Sequence, residues 1–179
     1  VVGKLGSATA TLAEIVEYET SLKQTHADSR IKTLEQITEM CKSFKARNKR
    51  IVFTNGCFDI LHVGHVRYLE EAKSFGDVLI LGLNSDASVR TLKGESRPIN
   101  TEQDRAYILA ALESVDYVVI FNEETPYELI KHVKPDVLVK GGDYEGKEVV
   151  GSDIAGEVRL VNFIEGKSTT STICKIQQR

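Results

Sequence analysis

His62 and His65 stand three residues apart with Gly64 between them, inside the stretch Ile51 to Ala72, IVFTNGCFDILHVGHVRYLEEA. Residues three apart on a helix share a face, so both imidazoles can address one group. Ile51, Val52 and Phe53 read as a strand, Asn55-Gly56 as a turn, and Val66, Leu69 and Ala72 as the apolar face of a helix. A helix start offers free N–H groups and the positive end of the helix dipole, and Gly64 leaves the backbone open to close approach. This arrangement predicts a polyphosphate site. A single histidine near a helix start is ordinarily a cap or a solvated residue. Two of the chain's four histidines around one glycine, behind Phe58-Asp59, are a different signal.

The elements that must hold this stretch follow from the rest of the chain. Thr11 with Glu14 forms a capping box ahead of a short amphipathic helix carrying Leu12, Ile15, Val16 and Leu22. Lys23 to Arg30 is polar and unpatterned, a linker by composition in which His26 is a solvated residue. Thr33 and Gln36 make a second capping box before Leu34, Ile37, Met40, Cys41 and Phe44 at helical spacing. The basic run Lys45, Arg47, Lys49 and Arg50 reads as a solvated face. Strands are expected at Asp77 to Asn84, Asp116 to Phe121, Asp136 to Lys140 and Glu157 to Phe163. A polar loop follows Asn84, a helix spans about Thr101 to Glu113, and another opens at Thr125-Pro126-Tyr127-Glu128 with Thr125 as its cap. A short C-terminal helix follows Gly166 to Thr172. Alternating strands and helices with continuous apolar strands predict an α/β fold, a Rossmann-like parallel sheet with helices on both faces. Such sheets bind ligands beyond the carboxyl ends of their strands, where strand order reverses.

Bulk composition narrows the classes. With 41% hydrophobic residues, 179 residues can bury one substantial core. A net charge of −3 without a long Lys/Arg run argues against nucleic acid or a membrane surface as the partner. Cys41, Cys57 and Cys174 have no metal-ligand or C-x-x-C spacing and read as reduced thiols of a cytoplasmic protein. The longest apolar run, Val78 to Leu83, is strand-sized.

Gly56-Cys57-Phe58-Asp59-Ile60-Leu61-His62-Val63-Gly64-His65 resembles the signature of the cytidylyltransferase-like nucleotidyltransferases, whose H-x-G-H element is shared with class I aminoacyl-tRNA synthetases. The later LNSD, KGESRPI, KGGDY and EGKSTTS extend the likeness, over about Arg50 to Ile176, to the adenylyltransferase domains of bifunctional heptose kinase/heptose-1-phosphate adenylyltransferases. VVGKLGSATATLAEI is similar to the closing segment of a ribokinase-like sugar kinase. The resemblance therefore implies residues 1–30 as the tail of an upstream kinase domain and a linker, and residues 31–179 as the nucleotidyltransferase domain. It implies adenylyl transfer from ATP to heptose 1-phosphate, with Mg²⁺ entering on the ATP, in lipopolysaccharide precursor synthesis. A homo-oligomer is expected. A cytidylyltransferase acting on another phosphorylated alcohol, and a nucleotide-binding module without catalysis, stay open. A tRNA synthetase is excluded by length and by the lack of a KMSKS-like element.

On this resemblance His62, His65 and Lys93 are the catalytic candidates. Thr54, Gly56, Phe58, Gly64, Arg97, Ser168, Thr169 and Thr170 are the nucleotide-binding candidates, and Asp86, Lys140 and Asp143 the substrate-side ones. Lys167 adds charge, and Asp59 and Asp143 are carboxylates without an assigned metal role. Arg105 with Glu102 is similar to a family pair near the nucleotide, but an ion pair on a helix surface accounts for it equally, and it is left out of the site. Gly166-Lys167-Ser168 is not a P-loop, because that motif needs glycine where Val161 stands. The family pattern R-T-x-G-I-S-T-T is here F-I-E-G-K-S-T-T, and loss of that arginine weakens the cytidylyltransferase reading. No residue pattern suggests acyl chemistry.

Overall fold

Alternate residues along each strand feed two separate cores. The computed structural model describes residue 11, residues 26–142 and residues 148–162. Five strands, β1 (Ile51–Gly56), β2 (Val78–Asn84), β3 (Tyr117–Phe121), β4 (Val137–Gly141) and β5 (Glu157–Val161), form one sheet in the order β3-β2-β1-β4-β5. All four pairings are parallel, with Ile51 opposite Val78 and Val52 opposite Val137. Helix α1 (Leu34–Ala46) precedes β1. Parallel neighbours need crossovers: α2 (Val63–Ser74) lies between β1 and β2, α3 (Asp86–Lys93) and α4 (Glu102–Ala110) between β2 and β3, and α5 (Tyr127–Val133) between β3 and β4.

Val52, Leu79, Leu81, Val118 and Val139 meet α2 and α4 through Leu69, Ala72, Ala106 and Leu109. Phe53, Ile80, Val119 and Leu138 meet α1 and α5 through Ile37, Phe44, Ile130 and Val133. The expected two-faced sheet is present. Gly82 makes the second face possible: a Cβ there would lie 2.8 Å from Phe53 Cζ and 3.2 Å from Leu129 Cδ2.

Several boundaries differ from expectation for identifiable reasons. The Thr33–Gln36 capping box forms in both directions, at 3.3 Å and 3.0 Å. The expected polar loop after Asn84 contains α3, begun by Ser85, whose hydroxyl accepts the Ser88 amide. The signal was thin, since Val89 is buried but Leu92 is 54% exposed. Thr125 does not cap α5: Pro126 occupies the cap position and no side chain bonds there. Helix α4 stops at Ala110 rather than Glu113, where Arg30 Nη1 takes the carbonyls of Ala110, Leu112 and Val115 at 3.2, 2.9 and 3.0 Å. Residues 26–30, expected as linker, therefore pack on the domain, with Ala27 buried in the first core. The expected helices near residues 11–22 and after residue 166 lie outside the described residues.

Candidate active site

Chain order reverses at β1: β2 and β3 extend to one side, β4 and β5 to the other. A cavity of about 430 Å³ opens at the carboxyl ends of the strands beside this reversal. Asn55 and Gly56 come from β1, Asn84 from β2, and Lys140 and Gly141 from β4. A polar residue closing an otherwise apolar strand is the signal by which Asn84 is readable. Lys140 is 6% exposed and its ammonium donates to Asn55 Oδ1, joining the two strands that flank the reversal.

The turn after β1 is tightly made. Phe58 has φ of +44°, a left-handed backbone uncommon for a bulky residue. Its ring comes so near the chain that a Cβ on Gly56 would sit 2.9 Å from Phe58 Cε2. Gly56 and Phe58 both line the cavity, as does Cys57, whose thiol pKa is raised by burial, with Lys93, Arg105 and Arg97 opposing the rise.

His62 is the N-cap of α2, and its Nδ1 accepts the Gly64 amide at 3.1 Å. The Gly64 amide is thus spent on His62, and Gly64 is buried and off the cavity lining, contrary to its expected place in a nucleotide cradle. The His62 and His65 rings stack with centroids 3.9 Å apart and 21° between planes, and Phe58 meets His65 edge-on at 5.2 Å. His65 lines the cavity. Its Nδ1 is buried and has no hydrogen-bond partner, and burial, followed by the charge of His62, lowers its pKa to about 4. The ring is a neutral donor or acceptor at neutral pH.

Lys93, the last residue of α3, and Arg97 line the same cavity, so His65, Lys93, Arg97 and Lys140 converge from four segments. Arg97 Nε bonds Asp59 Oδ2 at 2.5 Å, which orients the guanidinium. Asp59 is 2% exposed, and its other oxygen accepts the Ile99 and Asn100 amides at 2.7 and 3.0 Å. Asp59 also lines the cavity, and these three bonds occupy most of its acceptor capacity. Among the described residues there is no cluster of three or more His, Cys, Asp or Glu able to hold a metal.

Two expected ligands face elsewhere. Thr54 is fully buried and not itself on the cavity lining, and its hydroxyl pairs at 2.8 Å with Oη of Tyr68, which is. Asp86 turns its carboxylate to Arg105 Nη2 at 2.7 Å and also stands off the lining. Arg105, set aside as a surface ion pair, is 1% exposed. The lining also includes Tyr68, Leu92, Glu124, Thr125, Pro126 and Val150, none of them expected there. Asp143, Ser168, Thr169 and Thr170 lie outside the described residues. Chemically, the cavity offers two lysines, an oriented guanidinium, an imidazole and amide groups, a set suited to binding and neutralising phosphates.

The profile of the cytidylyltransferase-like family matches residues 53–175. Bifunctional protein HldE of Aliarcobacter butzleri is 71% identical over 178 residues, 99% of this chain and 37% of that protein. The chain spans about 37% of the length of the first curated relatives it matches. The crystal structure of the lipopolysaccharide core biosynthesis protein from Thermoplasma volcanium is similar at a TM-score of 0.52 and 27% identity, over 66% of this chain and 99% of that one. Pantoate-beta-alanine ligase from Francisella tularensis, complexed with beta-gamma ATP and beta-alanine, gives a TM-score of 0.57 over 83% of this chain and 79% of its own. At 17% identity it attests the fold alone. No described helix is long and apolar enough to cross a membrane.

Proposed function

Since the chain belongs to the cytidylyltransferase-like family, we propose that it transfers the adenylyl group of ATP to D-glycero-β-D-manno-heptose 1-phosphate, giving ADP-heptose and pyrophosphate. A phosphate oxygen of the sugar attacks the α-phosphorus in line, the new O–P bond forms, and the bond to the β-phosphate oxygen breaks. No covalent enzyme intermediate is required. Aligning two anions and stabilising the charge that develops between them supply the rate.

The observation that carries this reading is the convergence of His65, Lys93, Arg97 and Lys140 on one cavity at the strand reversal. In it His65 donates to the transferring phosphoryl oxygens, with His62 stacked behind it, and Lys93 and Arg97 neutralise the leaving pyrophosphate. Lys140 serves the sugar side. Asp143, Ser168, Thr169 and Thr170 enter on sequence resemblance alone. Mg²⁺ belongs to the proposal as the counter-ion of ATP, since the described carboxylates do not build a site for it. The choice of heptose rests on the sequence resemblance, supported by the identity with bifunctional HldE and by the 27% identity with a lipopolysaccharide core biosynthesis protein. An upstream kinase domain in a longer chain, a homo-oligomeric state and a cytoplasmic location complete it.

The test is pyrophosphate release with each nucleoside triphosphate against heptose 1-phosphate, glycerol phosphate and ethanolamine phosphate. Turnover is expected with ATP and heptose 1-phosphate. Preference for CTP and an alcohol phosphate replaces the substrate assignment, and no release with any pair replaces catalysis by nucleotide binding alone.

A further inference from the structure

Helix α4 grips the first residue of α3 from two sides. Glu102 Oε2 accepts the Asp86 backbone amide at 2.7 Å, and Arg105 Nη2 donates to Asp86 Oδ1 at 2.7 Å. The other Arg105 bonds go to backbone carbonyls: Nη1 to Cys57 at 2.6 Å and Asn84 at 2.9 Å, and Nε to Asn100 at 3.0 Å. Cys57 and Asn84 line the cavity, and Asn100 follows the segment that carries Arg97. One guanidinium thus joins the turn after β1, the end of β2, the start of α3 and the segment before α4.

Apolar packing does not account for this. Ala106, Leu109 and Ala110 already seat α4 in the core. A buried guanidinium is costly unless its donors are met, and only arginine's planar fork meets acceptors in several directions at once. Helix α3 is where such a device matters. It has eight residues, of which only Ser88 and Val89 are buried, and a helix this short does not hold itself. Its direction is fixed at its amino end, while Lys93 stands at the other end, over the cavity.

We propose that Glu102 and Arg105 are positioning residues: their joint hold on Asp86 sets the direction of α3 and thereby places the Lys93 ammonium at the phosphates. Neither touches a reacting atom. The inference rests on the nucleotidyl-transfer reading above for its effect on turnover, and on the structure alone for its effect on α3.

Glu102 is only half-buried, so its variants are the ones expected to fold. Glu102→Ala removes the acceptor for the Asp86 amide, whereas Glu102→Gln keeps a carbonyl oxygen there. Hydrogen exchange of the amides of residues 86–93 should accelerate in Glu102→Ala, with that of β1 and β2 unchanged, and return towards wild type in Glu102→Gln. Turnover should fall about 10-fold or more in Glu102→Ala, the scale of a misplaced catalytic group, and recover in Glu102→Gln. Arg105→Lys, which keeps the charge but has a single nitrogen, should behave as Glu102→Ala does. In a double-mutant cycle the loss from Glu102→Ala should largely vanish in a Lys93→Ala background. Unchanged exchange over residues 86–93, or losses that multiply with Lys93→Ala, overturn the inference. If the wild type releases no pyrophosphate with any substrate pair, the functional reading fails and the exchange data alone decide the clamp.

Discussion

His65 enters the cavity without a charge. Its pKa of about 4 lies below the ordinary 6.5 because burial, and then His62, disfavours the imidazolium. Between these values the unfolded chain takes up a proton that the folded chain refuses. The stabilising contribution is therefore fully present above pH 6.5 and is lost as the pH falls towards 4. An anion in the cavity works the other way, since negative charge nearby favours the protonated ring. NMR titration of the free protein should place His65 near 4, and pyrophosphate should raise it. A free-protein value near 6.5 contradicts the geometry. Replacing His65 by alanine should reduce turnover about 100-fold, the scale of losing a donor to developing charge. Near-normal pyrophosphate release by that variant removes the donor role; His62, off the cavity lining, supports the ring from behind.

At the scale of elements, the segment from Gly94 to Thr101 has no regular structure, and a buried carboxylate holds it. Burial alone would raise the Asp59 pKa. The Asn100 and Ile99 amides and Arg97 outweigh burial and hold it below the usual carboxylate range. Asn100 Nδ2 also donates to the Asp59 carbonyl at 2.6 Å. Asp59→Asn keeps the shape but faces an amide group towards donors and leaves Arg97 without its charge partner. A cost of about 3–5 kcal/mol in urea unfolding is expected, the scale of breaking a buried pair; a cost below about 1 kcal/mol contradicts the role. The strands and α1 were legible in the sequence because apolar runs and a capping box state them locally. Helix α3 was not, because Val89 is its one buried apolar side chain and tertiary bonds at Asp86 hold it. Thr125 was misread as a cap because a Thr-Pro-x-Glu pattern names a helix start without saying which way the threonine faces.

The whole molecule explains why the site was only partly legible. His65, Lys93, Arg97 and Lys140 were legible through the family resemblance, and the reversal beside β1 brings them to one cavity. Which polar side chains spend themselves on one another is set by long-range packing. Thr54 is taken by Tyr68, and Asp86 by Arg105, partners 14 and 19 residues away. The same long-range logic bears on the expected start of the domain. Composition placed it at Ile31, yet Arg30 closes the carbonyl end of α4, and Ile31 bridges to Val118 in parallel with β3. The segment from residue 26 thus packs as a strap along the β3 side of the sheet. Arg30→Ala leaves the carbonyls of Ala110, Leu112 and Val115 without their charged donor, and should cost about 1.5–3 kcal/mol, the range for hydrogen bonds to charged groups. A chain beginning at residue 31 should lose at least as much relative to one beginning at residue 26 as Arg30→Ala costs, because Ala27 leaves the core as well. Equal midpoints for the chains beginning at 26 and at 31 would return the boundary to Ile31 and make the strap incidental to stability.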